Sequence, residues 1–464
     1  MMQAFKNIFS IPDLRYRVLF TFAMLGVYRI GRHIPTPGID SQALLRFFEN
    51  QQGSILGFVD LFSGGNFSRL TIFALGIMPY ITASIILQLL TVVWPYLEKL
   101  SKEGEAGRKK ITQYTRYGTV LLSVVQSYFI SLWLQSTSAS GIGQIVLHPG
   151  IGFQLMTAVT LTTGTAFIMW LGEQISERGI GNGISLIIYA GIVVGLPNAV
   201  ANTYVDVTTG QISPIVVVLL VAVMVAVVGA IVLVERAQRK IPIQYARRVV
   251  GRRVYGGAST YLPLRVNTAG VIPVIFASSV LSIPQTLGTI QALQDVTWVQ
   301  NILRTLDYSA PLYNLSYFLL IIFFCFFYVS IIFNPMDQAD NMKKYGGFVP
   351  GIRPGKKTAE YIDRILTRLT FGGAVYLGLI SILPVFLISG LRVQTLPWGI
   401  GSTLDSLLPA FVTNGLGVKF FFGGTSLLIV VGVAMDTVQQ IESQLIMRHY
   451  EGFMKGTRIR GRRG

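Results

Sequence analysis

The chain has 464 residues, of which 52% are hydrophobic and only 13% are charged, and its formal net charge at pH 7 is +17. Soluble domains carry about 25% charged residues, so this composition excludes an ordinary soluble protein and indicates a membrane protein. The one cysteine excludes an intramolecular disulfide and a zinc site of several thiolates. Because the three histidines, His33, His148 and His449, also lack ligand spacing, we expect no metal and no cofactor.

Ten runs of the chain are apolar and long enough to cross a bilayer as helices, which takes about 20 residues. Pro79, Pro273, Pro284 and Pro384 lie inside these runs and predict kinks, which membrane helices tolerate when neighbours satisfy the freed backbone groups. The predicted spans lie near Val18–Ile34, Leu70–Trp94, Tyr117–Leu134, Gly152–Leu171, Ile184–Ala201, Pro214–Val234, Ala269–Thr289, Leu312–Phe333, Phe371–Ser389 and Phe420–Val438.

The positive charges lie mostly on one side of the predicted spans. The six segments on the side of the N-terminus hold 31 of the 38 lysines and arginines. The positive-inside rule therefore predicts that both termini are cytoplasmic. Ten spans that start inside divide into two sets of five with opposite orientation, and such inverted halves can enclose a pathway. We predict an N-terminal half over 1–210, a C-terminal half over 211–440 and a basic cytoplasmic tail over 441–464.

Ionisable residues are nearly absent from the predicted spans, where Arg29, Arg32 and His33 lie late in the first span and Asp436 lies late in the last. A secondary transporter with inverted repeats, the main alternative, usually needs carboxylates or histidines at membrane depth, and a cation filter needs acidic rings. A purely structural scaffold, the third class, does not need the irregular stretch described next. The glycines of Gly179–Gly183 lie between two spans and not in a strand–helix phosphate loop. Without a catalytic constellation, we do not expect an enzyme.

The stretch Gly53–Val93 is irregular for a membrane protein. A short apolar piece, broken by Gly64 and Gly65, precedes the long span. Such backbone survives at membrane depth only when it is buried in protein or lines a cavity. The span carries three isoleucines that share one helix face, and they either pack against a neighbour or form an apolar constriction that the short piece closes. They are Ile77, Ile81 and Ile85.

Seven strings resemble the SecY family, the channel subunits of the bacterial protein-translocation machinery. Among them are SGG-x-x-SR-x-x-IFALGIMPYI, WLGEQISERGIGNGIS and FVPGIRPG. One departure is the connection Leu391–Lys419, which is longer than is usual for that family. The strings are distributed along most of the chain and lie at Ser63–Val93, Lys102–Thr119, Trp170–Ser185, Gly251–Asn267, Ala269–Ser279, Phe348–Gly355 and Phe421–Val431.

The resemblance implies an all-α polytopic membrane protein, with ten transmembrane helices in two inverted five-helix halves around a central pore and with a plug helix. It implies a non-enzymatic channel that translocates unfolded preproteins across the inner (cytoplasmic) membrane and inserts apolar segments laterally into it. The implied partners are the membrane subunits SecE and SecG, the motor ATPase SecA, the ribosome, signal sequences and nascent polypeptides. The clustered cations add anionic lipids as a further expected partner.

The resemblance also implies a pore ring and a plug. A ring of branched aliphatic side chains can deform around a polypeptide, while it offers ions no substitute for their hydration shell. The implied ring residues are Ile77, Ile81, Ile184, Ile188, Ile275 and Ile429. The implied plug, near Ile55–Phe67, includes Phe58, Leu61, Phe62, Gly64 and Gly65. Its glycine pair is interpreted as a hinge, because glycine accepts φ of either sign.

A lateral gate and a docking surface complete the implied sites. Side-chain amides near span ends can hold helices together by about 1 kcal/mol, and ordinary interhelical bonding is the alternative interpretation. The implied gate residues are Thr82, Gln88 and Asn267. Cytoplasmic cations that follow the positive-inside rule are also implied to dock SecA or the ribosome. They are Arg252, Arg253, Arg353, Lys356 and Lys357, and Arg353, between Gly351 and Pro354, is the strongest candidate.

Overall fold

The computed structural model describes most of the chain. The described residues are 11–50, 60, 63–139, 145–210, 212–245, 248–250, 253–255, 259–287, 310–390 and 424–456. They fall into two compact units, one made of 1–201, 282–300 and 433–464, the other of 202–281 and 301–432. Helices dominate both units.

The first unit contains the early helices and the C-terminal part of the last helix. Its longest helices, α5 and α6, pack along each other, and buried serines and threonines of α5 allow a close approach. The helices are α1 Pro12–Gly31, α2 Ser41–Asn50, α3 Met78–Val93, α4 Pro95–Lys102, α5 Glu105–Ala139, α6 Ile151–Arg178 and α7 Gly183–Thr208, whose end belongs to the second unit.

The second unit combines apolar helices with short strands. Its core includes contacts of α10 with α12 and of α11 with α12. The elements are α8 Pro214–Arg236, β1 Gln238–Tyr245, β2 Arg248–Val250, β3 Arg253–Tyr255, β4 Ser259–Arg265, α9 Ile272–Leu287, α10 Pro311–Ile332, α11 Pro335–Lys344, β5 Gly347–Phe348, α12 Lys356–Ser389 and α13 Gly424–Gly456.

Several described helices have the length and composition of membrane spans. Six qualify, namely α5, α6, α7, α8, α10 continued by α11, and α12. The pair α3 and α4 qualifies together but bends by 98° at its break, while the apolar part of α9 is shorter. Six or seven of the ten predicted spans therefore correspond to described helices of spanning length, and the count of ten stays a prediction.

The second predicted span is shorter than the sequence indicated. Its helix begins at Met78, eight residues after the expected start at Leu70. Leu70 has φ +38° and Gly76 has φ +55°, and this left-handed backbone cannot continue an α-helix toward the N-terminus. Pro79 stands in the first turn of α3 and Pro273 in the first turn of α9, where a missing N–H is harmless. The kinks predicted at these two prolines are therefore wrong.

The described residues are mostly helical, as expected, but two of the predicted loops contain short strands that were not predicted. β1 pairs antiparallel with β4 along its length and with β5 at its end, while β2 and β3 form a hairpin. In β1, Ile241 and Ile243 are buried while their neighbours are exposed, which is the period of two of a strand with one buried face. The alternation in KIPIQ was the available signal, but it covers only five residues directly after a long apolar helix.

Candidate functional site

The predicted ring residues of the first unit lie at the starts of two helices. Ile77 is the residue before α3, and Ile81, one turn later, donates its N–H to the Ile77 oxygen at 3.1 Å. These two and Ile188 of α7 are less than 5% exposed. Ile184 is partly buried against α6, where a Cβ on Gly172 would lie 3.2 Å from its Cγ1. Burial of the first three fits a closed constriction or helix packing, whereas the contact of Ile184 favours packing.

The two predicted ring residues of the second unit lie on neighbouring elements. Ile275, in the first turns of α9, and Ile429, in α13, are both buried. Just before Ile275, the side chain of Val271 packs directly on Gly432 of α13. The start of α9 and the first part of α13 are therefore in contact, and each brings one predicted ring residue to that side of the unit.

The described part of the predicted plug is a tight turn. Gly64 and Gly65 have φ +72° and +76°, values that favour glycine. A Cβ on Gly64 would lie 2.7 Å from the Cα of Gly191 in α7, and one on Gly65 would lie 2.6 Å from Nη2 of Arg32. Close packing against backbone thus requires Gly64, whereas Gly65 is favoured by its positive φ, and the role of the pair as a hinge stays a prediction. Three predicted plug residues lie outside the described part of the chain, namely Phe58, Leu61 and Phe62.

Hydrogen bonds attach this turn to the first helix. The Tyr28 hydroxyl of α1 donates to the Ser63 carbonyl oxygen at 3.1 Å and accepts from Asn66 Nδ2 at 3.1 Å. Ser63 Oγ donates to the main-chain oxygen of Asp60 at 2.9 Å. The Asp60 carboxylate accepts the N–H of Ser68 at 2.8 Å. The turn is therefore held both within itself and against α1.

The carboxyl of Asp60 is partly buried within this turn. Burial raises its pKa above the ordinary value, while hydrogen bonds from Ser68 and the nearby Arg32 guanidinium oppose that rise. Asp60 was not among the predicted site residues. The only indication in the sequence was its place near Gly64 and Gly65, eight residues before Ser68.

An aromatic cluster covers the end of the turn. The ring of Phe67 lies 5.5 Å from that of Phe48 in an edge-on arrangement and stacks on Trp133 at 6.4 Å. Phe48 belongs to α2, an amphipathic helix whose N-terminus is capped by the Asp40 carboxylate, which accepts the N–H of Gln42 at 2.9 Å. The ten residues of α2 are too short to resemble a span, so this helix was not predicted.

The predicted gate residues hydrogen bond differently from one another. Thr82 Oγ1 donates to the Met78 oxygen at 3.0 Å, and Gln88 Nε2 donates to Ser84 Oγ at 3.3 Å, so both bonds stay within α3. Asn267, by contrast, is buried ahead of α9 and bonds to a different helix.

Asn267 Nδ2 donates to Oε1 of Glu235 at 2.6 Å and to the Gly270 oxygen at 3.2 Å. Glu235 is buried in the last turn of α8, one residue beyond the predicted end of that span. This buried acid was not among the predicted site residues, and its signal in the sequence was a lone glutamate between an apolar run and Arg236. Asn267 joins two elements of the second unit, which fits ordinary interhelical bonding as well as a gate role.

The strongest docking candidate projects from a rigid loop. Arg353 is exposed, and its carbonyl oxygen accepts the hydroxyl of the buried Thr358 at 2.9 Å. On the preceding side, Val349 and Ile352 pack into the cluster of β1, β4 and α12. Gly351 has φ +80°, which permits the turn between these anchors. The guanidinium is thus presented to solvent from a fixed backbone.

The structure joins the two loops that carry the docking candidates. β5, which precedes Arg353, pairs with the end of β1, because Gln244 faces Phe348 in the register. Lys356 and Lys357 are exposed in the first turn of α12, and Lys357 Nζ lies 3.0 Å from Oε2 of Glu360. The remaining two candidates are less defined, since Arg253 belongs to the backbone of β3 and Arg252 lies outside the described residues.

Backbone N–H groups of the glycine-rich loop Gly179–Gly183 donate hydrogen bonds to other parts of the protein. Ile180 donates to Thr21 Oγ1 of α1 at 3.1 Å, and Gly181 donates to Oε1 of Gln440 in α13 at 2.9 Å. Gly183 donates to Ser176 Oγ at 2.9 Å. A phosphate-binding role for this loop is therefore not supported. Across the described ranges, no group of three His, Cys, Asp or Glu side chains could hold a metal ion.

The comparisons with known proteins agree with this architecture. A family model described as SecY matches residues 71–438. Protein translocase subunit SecY of Escherichia coli (strain K12) is 48% identical over 97% of this chain and 96% of the relative. The same subunit of Streptomyces galbus is also 48% identical, over 98% of this chain and 100% of the relative.

Solved structures give the same fold. One, described as the structure of a protein conducting channel, superposes with a TM-score of 0.64 at 18% identity and covers 93% of each chain. Another, Sec61 in the canine ribosome-channel complex from the endoplasmic reticulum, gives 0.60 at 17% identity and again 93% of each chain.

In the part of the chain that the structure describes, the mostly helical fold with six or seven apolar helices of spanning length is that of a multi-pass membrane protein, and it matches the fold of a solved protein-conducting channel. The chain belongs to the SecY family. Family membership confirms the resemblance drawn from the sequence strings and the expectation that the protein is not an enzyme.

Proposed function

We propose that the protein is the channel subunit of a protein translocase in the cytoplasmic membrane. It passes unfolded preproteins across the bilayer and releases apolar segments laterally into lipid. The observation that carries the proposal is the 48% identity to named SecY translocase subunits over nearly the whole chain. The cation distribution supports cytoplasmic termini and ten spans in two inverted halves.

The channel parts are assigned by residue in this proposal. The six isoleucines predicted from the resemblance form the ring, the segment near Ile55–Phe67 forms the plug, and Thr82, Gln88 and Asn267 belong to the lateral gate. Burial of Ile77, Ile81 and Ile188 supports a constriction that is closed at rest. An aliphatic constriction limits ion leakage by excluding water.

The proposal favours a channel over a coupled transporter. A transporter places ionisable groups at membrane depth, because they carry the coupling charge. The buried carboxyl of Glu235 lies in the last turn of α8, next to β1, where the Lys and Arg distribution places the cytoplasmic surface. Its bond to Asn267 gives it a structural partner.

Its partners are the SecE and SecG subunits, signal sequences and nascent chains, anionic lipids, and either SecA or a ribosome as the source of force. A ribosome-bound relative, the canine Sec61 channel, supports the last point. The exposed Arg353 on its rigid loop supports docking of an acidic or phosphate-bearing surface, since a guanidinium binds carboxylate and phosphate with two parallel hydrogen bonds.

The test is translocation of a preprotein into vesicles that contain the purified channel, with SecA and ATP supplied. Arg353→Glu should abolish SecA-driven translocation while leaving insertion of the channel unchanged, because an acidic partner then faces repulsion. Lys110→Glu, which reverses an exposed cation of another predicted cytoplasmic segment, is the matched control and should translocate normally. A normal rate for Arg353→Glu contradicts the docking role, and failure of the unmodified chain contradicts the function itself.

A further inference from the structure

The turn at Ser63–Gly65 lies between two elements that carry proposed ring residues. On one side is Gly76, the residue before Ile77, where a Cβ would lie 3.4 Å from the Cα of Ser63. On the other side is Gly191, three residues after Ile188 in α7, where a Cβ would lie 3.1 Å from the Cα of Gly64. Backbone therefore meets backbone on both faces of the turn.

We infer that this turn is a spacer that sets the separation of the start of α3 from α7, and with it the resting width of the ring between Ile77 and Ile188. Tyr28, Asn66 and Asp60 are the positioning residues that hold the spacer in place. The inference rests on the proposed function and assigns a further role within the ring.

The contacts of the turn favour a spacer over a hinge. A hinge must change φ and ψ freely, but Gly64 and Gly65 are already in left-handed backbone with neighbours against both Cα atoms. Movement would also break buried hydrogen bonds, since Asn66 is 1% exposed and bonds to the Tyr28 hydroxyl. Tyr28 itself is fixed by stacking on Phe73, with ring centroids 5.8 Å apart.

Packed backbone transmits a change in size directly to its neighbours. Protein interiors hold few voids, so an added methyl group must displace the facing segment. A methyl on Gly191 meets the main chain of Gly64, which has no flexible side chain to move aside. At 3.1 Å the added methyl requires the turn and α7 to separate by about a few tenths of an ångström, and the ring residues carried by α3 and α7 separate with them.

The test compares two helical glycines that differ only in what faces them. Gly191→Ala adds a methyl against the turn, whereas Gly229→Ala adds one in α8 where nothing lies within 4 Å. Both changes favour the helix equally. Ion conductance in planar bilayers and hydrogen exchange of the Phe67 and Ser68 amides are measured for both variants in the full-length protein.

Gly191→Ala should raise the resting conductance several-fold and accelerate exchange of the two amides, while Gly229→Ala should change neither. Unchanged exchange and conductance in Gly191→Ala overturn the inference. Faster exchange with normal conductance also overturns it, because the turn then moves without widening the ring. Preprotein translocation by the unmodified chain in matched vesicles tests the proposed function separately.

Tyr28→Phe is the second variant, because it keeps the ring stacked on Phe73 and removes only the hydroxyl that bonds Ser63 and Asn66. It should raise conductance less than Gly191→Ala and leave the thermal midpoint close to that of the unmodified protein. A merely structural role predicts the reverse, a lower midpoint with normal conductance.

Discussion

The carboxyl of Asp60 can make the stability of the turn at Ser63–Gly65 depend on pH. Its side chain accepts the Ser68 N–H, and burial raises its pKa above the value of the unfolded chain. The folded state therefore keeps the proton to a higher pH than the unfolded state does. Stability from this group is complete below the unfolded pKa and declines as pH rises through the folded pKa.

Asp60→Asn should remove this decline, because the amide oxygen still accepts the Ser68 N–H and carries no charge. Relative to the variant, the unmodified protein should lose about 1.4 kcal/mol for each unit by which the folded pKa is raised. Thermal midpoints in detergent between pH 4 and pH 7 provide the measurement. Asp337→Asn, a change of an exposed carboxylate in α11, is the control. Parallel pH profiles for Asp60→Asn and the unmodified protein would contradict the assignment.

Among the elements, the small sheet determines how the loop that carries Arg353, the proposed docking residue, is presented. β1 carries Ile241 into a cluster with Leu264 of β4, Val349 ahead of Arg353 and Ile362 of α12. The loop with Arg353 therefore owes its rigidity to strands that follow a different span. Apolar clusters of this size are stabilised mainly by burial. One large-to-small change should therefore loosen the sheet and the loop that carries Arg353.

Ile241→Ala should destabilise the sheet by about 2–5 kcal/mol, the usual cost of removing a buried isoleucine side chain. We expect faster hydrogen exchange in β1 and β4 and weaker SecA binding, with α5 and α6 unaffected. Lys240→Ala, which changes the exposed neighbour in the same strand, is the matched control. Retention of full SecA affinity despite a loosened sheet would show that SecA binding does not require a rigid sheet beneath the Arg353 loop.

For the whole molecule, the sequence predicted what depends on apolar length and charge, and it missed what depends on contacts distant in sequence. Runs such as Pro214–Val234 predicted α8 closely because length and apolarity alone define a span. The predicted start of α3 was wrong, because an apolar run gives no sign that Gly76 adopts left-handed backbone. The bond from Tyr28 to Ser63 joins residues 35 positions apart, and no local pattern indicates it.

The lateral gate is a prediction about the molecule as a whole. In a background of Cys325→Ala, cysteines replacing Gln88 and Asn267 should cross-link, and the cross-link should stop signal-sequence entry. The control carries Ile86→Cys together with Asn267→Cys. Ile86 lies on the opposite face of α3 from Gln88, so this pair should not cross-link. Undiminished insertion of an apolar segment after complete cross-linking would rule out the lateral route.

The loop at Gly179–Gly183 has a consequence for how the protein is made. Its amides need Thr21, made early, and Gln440, made near the end of synthesis. At about 5–20 residues per second, the ribosome supplies that glutamine roughly 10–50 seconds after the loop itself. Until then one N–H of the loop lacks its final acceptor, so the first-made helices await the last-made one. A chain that ends before Gln440 would leave the N–H of Gly181 without this acceptor.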